Sequence, residues 1–140
     1  MISAPLASRL HAAGLRWNPR SGDRFVLRQA DLSGDVYTIS DMTIEPHDFA
    51  TGTVLGFNGT TEWALDSVAK DDALWLPGED QLRSLLGGTF RSLVATAGAY
   101  VVRTRSPAGV EQGYEGSDPA DAYALALLAL LGAVIDGSLV

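Results

Sequence analysis

The chain has 140 residues, a net charge of −7, 46% hydrophobic residues and no cysteine. This length and composition are typical of a globular protein, and we predict a single domain over residues 1–140. The negative charge argues against nucleic-acid binding, and the lack of cysteine excludes a disulfide framework and a cysteine-based zinc site. The sequence shows no signal peptide, so we expect a cytoplasmic protein.

Residues 3–13 are predicted to form a short helix. Leu6 and Leu10 recur at helical spacing, and Gly14 is a natural residue just beyond a helix C-terminus. Trp17 follows in an extended segment and is expected to anchor the core.

Extended segments come next. Two Ser-Gly-Asp turns begin the similar runs 21–27 and 33–39, and each turn is expected to lead into a strand. The segment that begins at Met42 either continues the second strand or forms a third, and it is expected to end at Pro46.

The dipeptide Asn58-Gly59 stands between two β-rich runs and favours a two-residue hairpin with a type I′ turn. In the register that such a turn imposes, Val54 lies opposite Trp63. Both side chains should then belong to the covered face of the hairpin.

The second half of the chain predicts a short helix, further strands and a long helix. Leu74-Trp75-Leu76-Pro77 is interpreted as an apolar lead-in to a helix over residues 79–86. Strands are then expected over residues 90–95, 99–104 and 110–114.

The last helix begins at a strong signal, with Asp118 as N-cap and Pro119 in the first helical position. From Ala122 to Ile135 it carries no charged or strongly polar side chain, and this run is shorter than the ~20 residues that span a bilayer. A helix without a polar face has to be covered by other parts of the chain, by a partner or by lipid.

These elements together predict an α+β fold. We expect a single antiparallel sheet of about five to seven strands, with a short N-terminal helix, a short middle helix and a long apolar C-terminal helix packed on the sheet. The large side chains of the last helix should pack close to Val54, Trp63 and the strand that follows Phe90.

The last helix also carries a stripe of small side chains. These are Ala122, Ala126, Ala129 and Ala133. The stripe either approaches another helix closely, as in a homodimer, or faces water, and the sequence leaves both readings open.

The densest polar cluster of the sequence is a candidate metal site. It consists of Asp41, Glu45, His47 and Asp48. Carboxylates with a histidine suit a divalent metal. In an extended strand, however, Asp41 and His47 would lie about 20 Å apart, so only a bend at Pro46 could gather the four. The alternative is a polar turn.

Motifs for nucleotide or acyl chemistry are lacking. The sequence contains no Gly-x-Ser-x-Gly, no Walker A loop and no Gly-x-Gly-x-x-Gly, so no cofactor is predicted.

Our first hypothesis is a non-enzymatic binding module for a protein partner or for itself. The second is an enzyme, or a small-ligand or metal-binding protein, with a pocket beside the sheet that uses the polar cluster and Glu62.

Three segments carry a resemblance to known sequences. They are Gly14–Pro19 with Gly22–Phe25, then Gly56–Val68, then Leu74–Pro77 with Glu79–Leu82. The chain resembles small actinobacterial and phage-encoded proteins, some of which are labelled pilus assembly proteins of the CpaE type. The resemblance implies a role as a pilus or secretion accessory factor and assigns no functional residue.

Overall fold

The structure is a computed structural model that describes residues 1–28, 35–39, 43–49, 52–58, 67–69 and 72–135. The helices are α1 (Ala4–Ala12), α2 (Glu79–Leu86) and α3 (Pro119–Ile135). A 3₁₀ turn, Gly87–Thr89, follows α2. The strands are β1 (Arg24–Leu27), β2 (Tyr37–Thr38), β3 (Thr43–Phe49), β4 (Gly52–Asn58), β5 (Ser67–Ala69), β6 (Ala73–Leu76), β7 (Phe90–Thr96), β8 (Ala99–Arg105) and β9 (Glu111–Gly116).

The chain divides into two compact units. The first unit joins residues 1–16 to residues 77–140, and the second unit is residues 17–76. The first unit contains α1, α2, α3 and the strands β7 to β9. Its buried side chains include Leu10, Leu82, Leu86, Val102, Tyr123 and Leu127. In the second unit, Trp17, Phe25, Ile39 and Ala73 form a buried cluster.

The prediction of an α+β fold with antiparallel pairing is confirmed, but the prediction of a single sheet is wrong. The described strands form three three-stranded sheets in the orders β2-β1-β6, β3-β4-β5 and β7-β8-β9. The strand β1 pairs with the distant β6 instead of extending a continuous meander. The Arg28 N–H donates to the Asp72 carbonyl over 2.8 Å, so both ends of the intervening chain meet. Within that chain, β3, β4 and β5 pair with one another, whereas β2 pairs with β1.

The predicted hairpin register at Asn58-Gly59 is also wrong. Val54 of β4 pairs with Ala69 of β5 rather than with Trp63. The pairing of Val54 with Ala69 requires a connection between β4 and β5 that is longer than a two-residue turn. The short connection lies one strand earlier, where Phe49 pairs with Gly52 across residues 50 and 51.

Two strands differ from the prediction. The apolar segment before α2 forms the strand β6, because a short apolar run is as typical of a buried strand as of a segment that leads into a helix. The strand β3 does not end at Pro46 but continues to Phe49, with Pro46 opposite Leu55. The strand lies at the edge of its sheet, where a residue without an N–H is tolerated.

The helix α3 packs on β8, β9, α1 and α2, which confirms its predicted place on a sheet. The Phe90 and Tyr123 rings lie 5.7 Å apart, so the start of β7 contacts the helix as expected. Oδ1 of Asp118 accepts the Ala120 N–H over 2.9 Å and caps the helix. The predicted neighbour Trp63 and the side chain of Val54 lie outside the described residues.

Candidate functional site

A groove in the first unit lies between the second half of α3 and the strands β8 and β9. Its volume is about 340 Å³, and we name it the α3 groove. The lining residues are Thr89, Thr104, Ser106, Val110, Gln112, Tyr114, Ala126, Ala129, Leu130 and Ala133. None of these side chains carries a formal charge at neutral pH.

One wall of the α3 groove is polar and follows from the strand register. Thr104 pairs with Gln112, and Val102 pairs with Tyr114. Directly paired residues share a face of the sheet, and Val102 is fully buried on the face that α3 covers. Thr104, Gln112 and Tyr114 therefore face the helix and present hydroxyl and amide groups to the groove.

The other wall is apolar and comes from one stripe of α3. Ala126, Ala129, Leu130 and Ala133 are spaced by three or four residues, so they lie on one side of the helix. Ala126 is only 2% exposed, whereas Ala129 is exposed to solvent. Because alanine side chains are short, a bound segment can approach the helix backbone closely.

Local hydrogen bonds fix both ends of the groove. The Ser106 hydroxyl accepts the Val110 N–H over 3.1 Å at the turn between β8 and β9. The Thr89 hydroxyl donates to the Leu86 carbonyl over 2.7 Å at the end of α2. Thr104, Gln112 and Tyr114 are therefore the groups that we expect to hydrogen-bond a ligand.

The predicted alanine interface falls partly on this groove. Ala129 and Ala133 line it in accessible positions, but Ala122 is fully buried inside the first unit and Ala126 nearly so. Only the second half of the stripe can therefore meet a partner.

A polar cluster at the start of α3 is structural. The Met1 ammonium lies 2.8 Å from Oδ2 of Asp118, and the Ser3 N–H donates to Oδ1 of Asp121 over 2.8 Å. The hydrogen bond from the ammonium lowers the pKa of Asp118, and the bond from the Ala120 N–H lowers it further. These contacts tie the start of α1 to the start of α3.

The candidate metal residues are not gathered by the backbone that the structure describes. Glu45, His47 and Asp48 lie in β3, whose pairing with β4 continues through Pro46. Asp41 and Glu62 lie outside the described residues, as do the side chains of β3. Among the described residues, no group of three His, Asp or Glu side chains is arranged to hold a metal ion. Metal binding by the full set stays a prediction.

The sequence did not predict the polar wall of the α3 groove. The pattern Gln112-x-Tyr114 shows a shared face once β9 is known to be a strand, but nothing in it reveals that α3 covers this face. The alanine stripe gave the only sequence signal for the groove.

In comparisons with known proteins, no family model, curated protein or solved structure matches the chain. Within the described part of the chain, none of the helices combines the length and hydropathy needed to cross a membrane.

Proposed function

We propose that the protein is a non-enzymatic binding module that holds a short, uncharged segment of a partner protein in the α3 groove. The observation that carries this proposal is the pairing of two unlike walls. Small apolar side chains line the helix side, and neutral hydrogen-bonding side chains line the sheet side.

The polar wall suits the main chain of a peptide, and the apolar wall suits its side chains. Thr104, Gln112 and Tyr114 can donate to and accept from main-chain amides, while Ala129 and Ala133 allow apolar side chains to lie against the helix. Because the lining contains no cationic side chain, the groove offers a phosphate or a carboxylate no charge-assisted hydrogen bond. A volume of about 340 Å³ suits a few residues rather than a whole helix.

The chemistry of the lining favours binding over turnover. Tyr114 is the one ionisable side chain among the lining residues. General acid–base catalysis most often uses histidine or a carboxylate, and the lining of the groove contains neither. The same volume also suits a small molecule, so the experiment has to distinguish a peptide segment from a small molecule as the ligand.

Photo-cross-linking at the groove tests the proposal. Benzoylphenylalanine in place of the exposed Ala129 should form adducts with a partner protein in cells. Adding Ala133→Arg, which fills the groove, should abolish the adducts. Adding Val134→Arg should preserve them, because Val134 is the next residue of the helix, is 60% exposed and does not line the groove.

Two outcomes would overturn the proposal. Adducts that persist in the Ala133→Arg protein would place the contact elsewhere. If no protein adduct forms, and native mass spectrometry of the purified protein shows a small molecule that Ala133→Arg removes, the groove is a small-ligand site instead.

A further inference from the structure

The sheet of the first unit has two edges, and they differ in chemistry. In the described structure, β7 and β9 each pair only with β8. An edge strand presents unpaired N–H and C=O groups that can pair with another chain, and proteins usually protect it with charged side chains, proline or β-bulges. The two edges differ in this protection.

The strand β9 is protected against pairing with its own copy. It carries Glu111 and Glu115, with Gly113 midway between them. Antiparallel pairing of two β9 strands about Gly113 would place Glu111 directly opposite Glu115 at both ends. Like charges opposite each other destabilise a strand pair.

The strand β7 has a bulge between Phe90 and Ser92, near its start, but the part of the strand that follows the bulge lacks such protection. Its one charged side chain, Arg91, bends back to donate to the Gly88 carbonyl over 2.6 Å and to the Phe90 carbonyl over 2.9 Å. The following segment, Ser92–Thr96, contains neither charge nor proline. Within it, Leu93 is 38% exposed and Val94 is 44% exposed.

We propose that β7 is a self-association edge, where two copies of the protein pair antiparallel about Val94 to form a continuous six-stranded sheet. In this register Val94 lies opposite the same residue of the second copy, and Leu93 lies opposite Ala95. Each pair is apolar, so pairing covers the exposed Leu93 and Val94. The two Arg91 side chains are about 20 Å apart, so they do not repel each other strongly.

This edge is separate from the α3 groove, and the inference goes beyond the proposed function. The lining of the groove includes no residue of β7, and pairing at β7 leaves the opposite edge of the sheet, β9, beside the groove unchanged. The two proposals are therefore independent, and a result that contradicts one does not contradict the other.

Single cysteines test the register, because the chain has no cysteine of its own. Val94→Cys should form a disulfide-linked dimer on mild oxidation, since directly opposite residues are about 5 Å apart. Thr96→Cys should not, because the two residues 96 lie four positions out of register, about 13 Å apart. Equal cross-linking at both positions, or none at Val94→Cys, would overturn the proposal.

Charge substitution tests the association without cross-linking. Sedimentation equilibrium should show a concentration-dependent dimer for the wild-type chain and a monomer for Val94→Lys. Val36→Lys is the matched control, since Val36 is 40% exposed in the second unit and the change in charge is the same. Ala133→Arg should also remain dimeric. A wild-type monomer at the highest soluble concentration, or a dimer that Ala133→Arg disrupts and Val94→Lys does not, contradicts the proposal.

Discussion

The indole N–H of Trp17 donates a 2.9 Å hydrogen bond to Oδ2 of Asp23, and both residues are buried. The same oxygen accepts the Arg20 N–H over 3.0 Å. The Trp17 ring stacks on that of Trp75 with the centroids 6.4 Å apart, and it lies 5.6 Å from the ring of Phe25. A carboxylate thus fixes the orientation of the central aromatic ring in the second unit.

Replacing this carboxylate should destabilise the protein. Asp23→Ala leaves the buried indole N–H of Trp17 without its acceptor, and we expect the free energy of unfolding to fall by about 1–3 kcal/mol. Asp23→Asn keeps an acceptor oxygen and should cost less. Urea unfolding followed by tryptophan fluorescence measures both changes. A stability of Asp23→Ala equal to that of the wild type would show that the bond contributes nothing.

The contact between Met1 and Asp118 predicts a dependence of stability on pH. The bound ammonium holds the pKa of Asp118 below its ordinary value of 3.8. A carboxyl group with a lowered pKa stabilises the fold above its unfolded-state pKa and loses this effect as the pH falls through the folded-state pKa. Asp118→Asn should therefore be less stable than the wild type at neutral pH. The difference should shrink as the pH falls below 3.8 and vanish once the pH lies below the lowered pKa of Asp118.

The size of this effect should be small. The two side chains are 39% and 37% exposed, so water screens the pair and we expect less than about 1 kcal/mol. Asparagine retains an oxygen that can cap α3, which isolates the loss of charge from the loss of the cap. Asp118→Ala loses both and should cost about 1 kcal/mol more. Unfolding curves across this pH range give the comparison, and a gap that stays constant into acid would refute the assignment.

Gly116 predicts a steric effect at the junction of β9 and α3. A Cβ atom at this residue would lie 2.6 Å from the Ala122 nitrogen and 3.1 Å from the Asp118 carbonyl oxygen. These are backbone atoms of the helix start, so they cannot move aside cheaply. Gly116→Ala should lower the free energy of unfolding by about 1–3 kcal/mol. Gly88→Ala is the control, because a Cβ there meets no atom within 4 Å. Thermal melting should separate the two variants.

The parts of the fold that the sequence predicted well are those that depend on local signals. The predicted range of α2, residues 79–86, matches the structure, because acidic residues begin this helix and Gly87 ends it. The start of α3 was predicted for the same reason, since Asp118 and Pro119 act within one turn. These residues contact neighbours along the chain, so their roles can be read from spacing.

The pairing of strands depends on contacts between distant residues and was not predictable in this way. On one side Phe25 pairs with Tyr37 of the next strand, but on the other side it pairs with the distant Trp75, although nearer strands offered apolar runs of the same kind. Asn58-Gly59 suits a tight turn locally, yet the pairing of Val54 with Ala69 prevails. The α3 groove needs the additional knowledge that Gln112 and Tyr114 lie beneath the alanine stripe. Hydrophobic periodicity assigns a face to each element but not the element that covers it.

The alanine stripe itself provides the last prediction, because burial divides it between neighbouring turns of one helix. Ala126 is 2% exposed, and Ala129 is exposed. Ala126→Glu forces a carboxylate into the packed first unit without a designed partner, so we expect a loss of about 3 kcal/mol or more in the free energy of unfolding. Ala129→Glu places the same side chain in solvent at the mouth of the groove and should change stability by less than about 0.5 kcal/mol. Chemical denaturation of the two variants tests this division, and an Ala126→Glu protein as stable as the wild type would show that the stripe is open along its whole length. If the division holds, partner binding lost in Ala129→Glu cannot be attributed to unfolding, which makes this variant a direct probe of the groove.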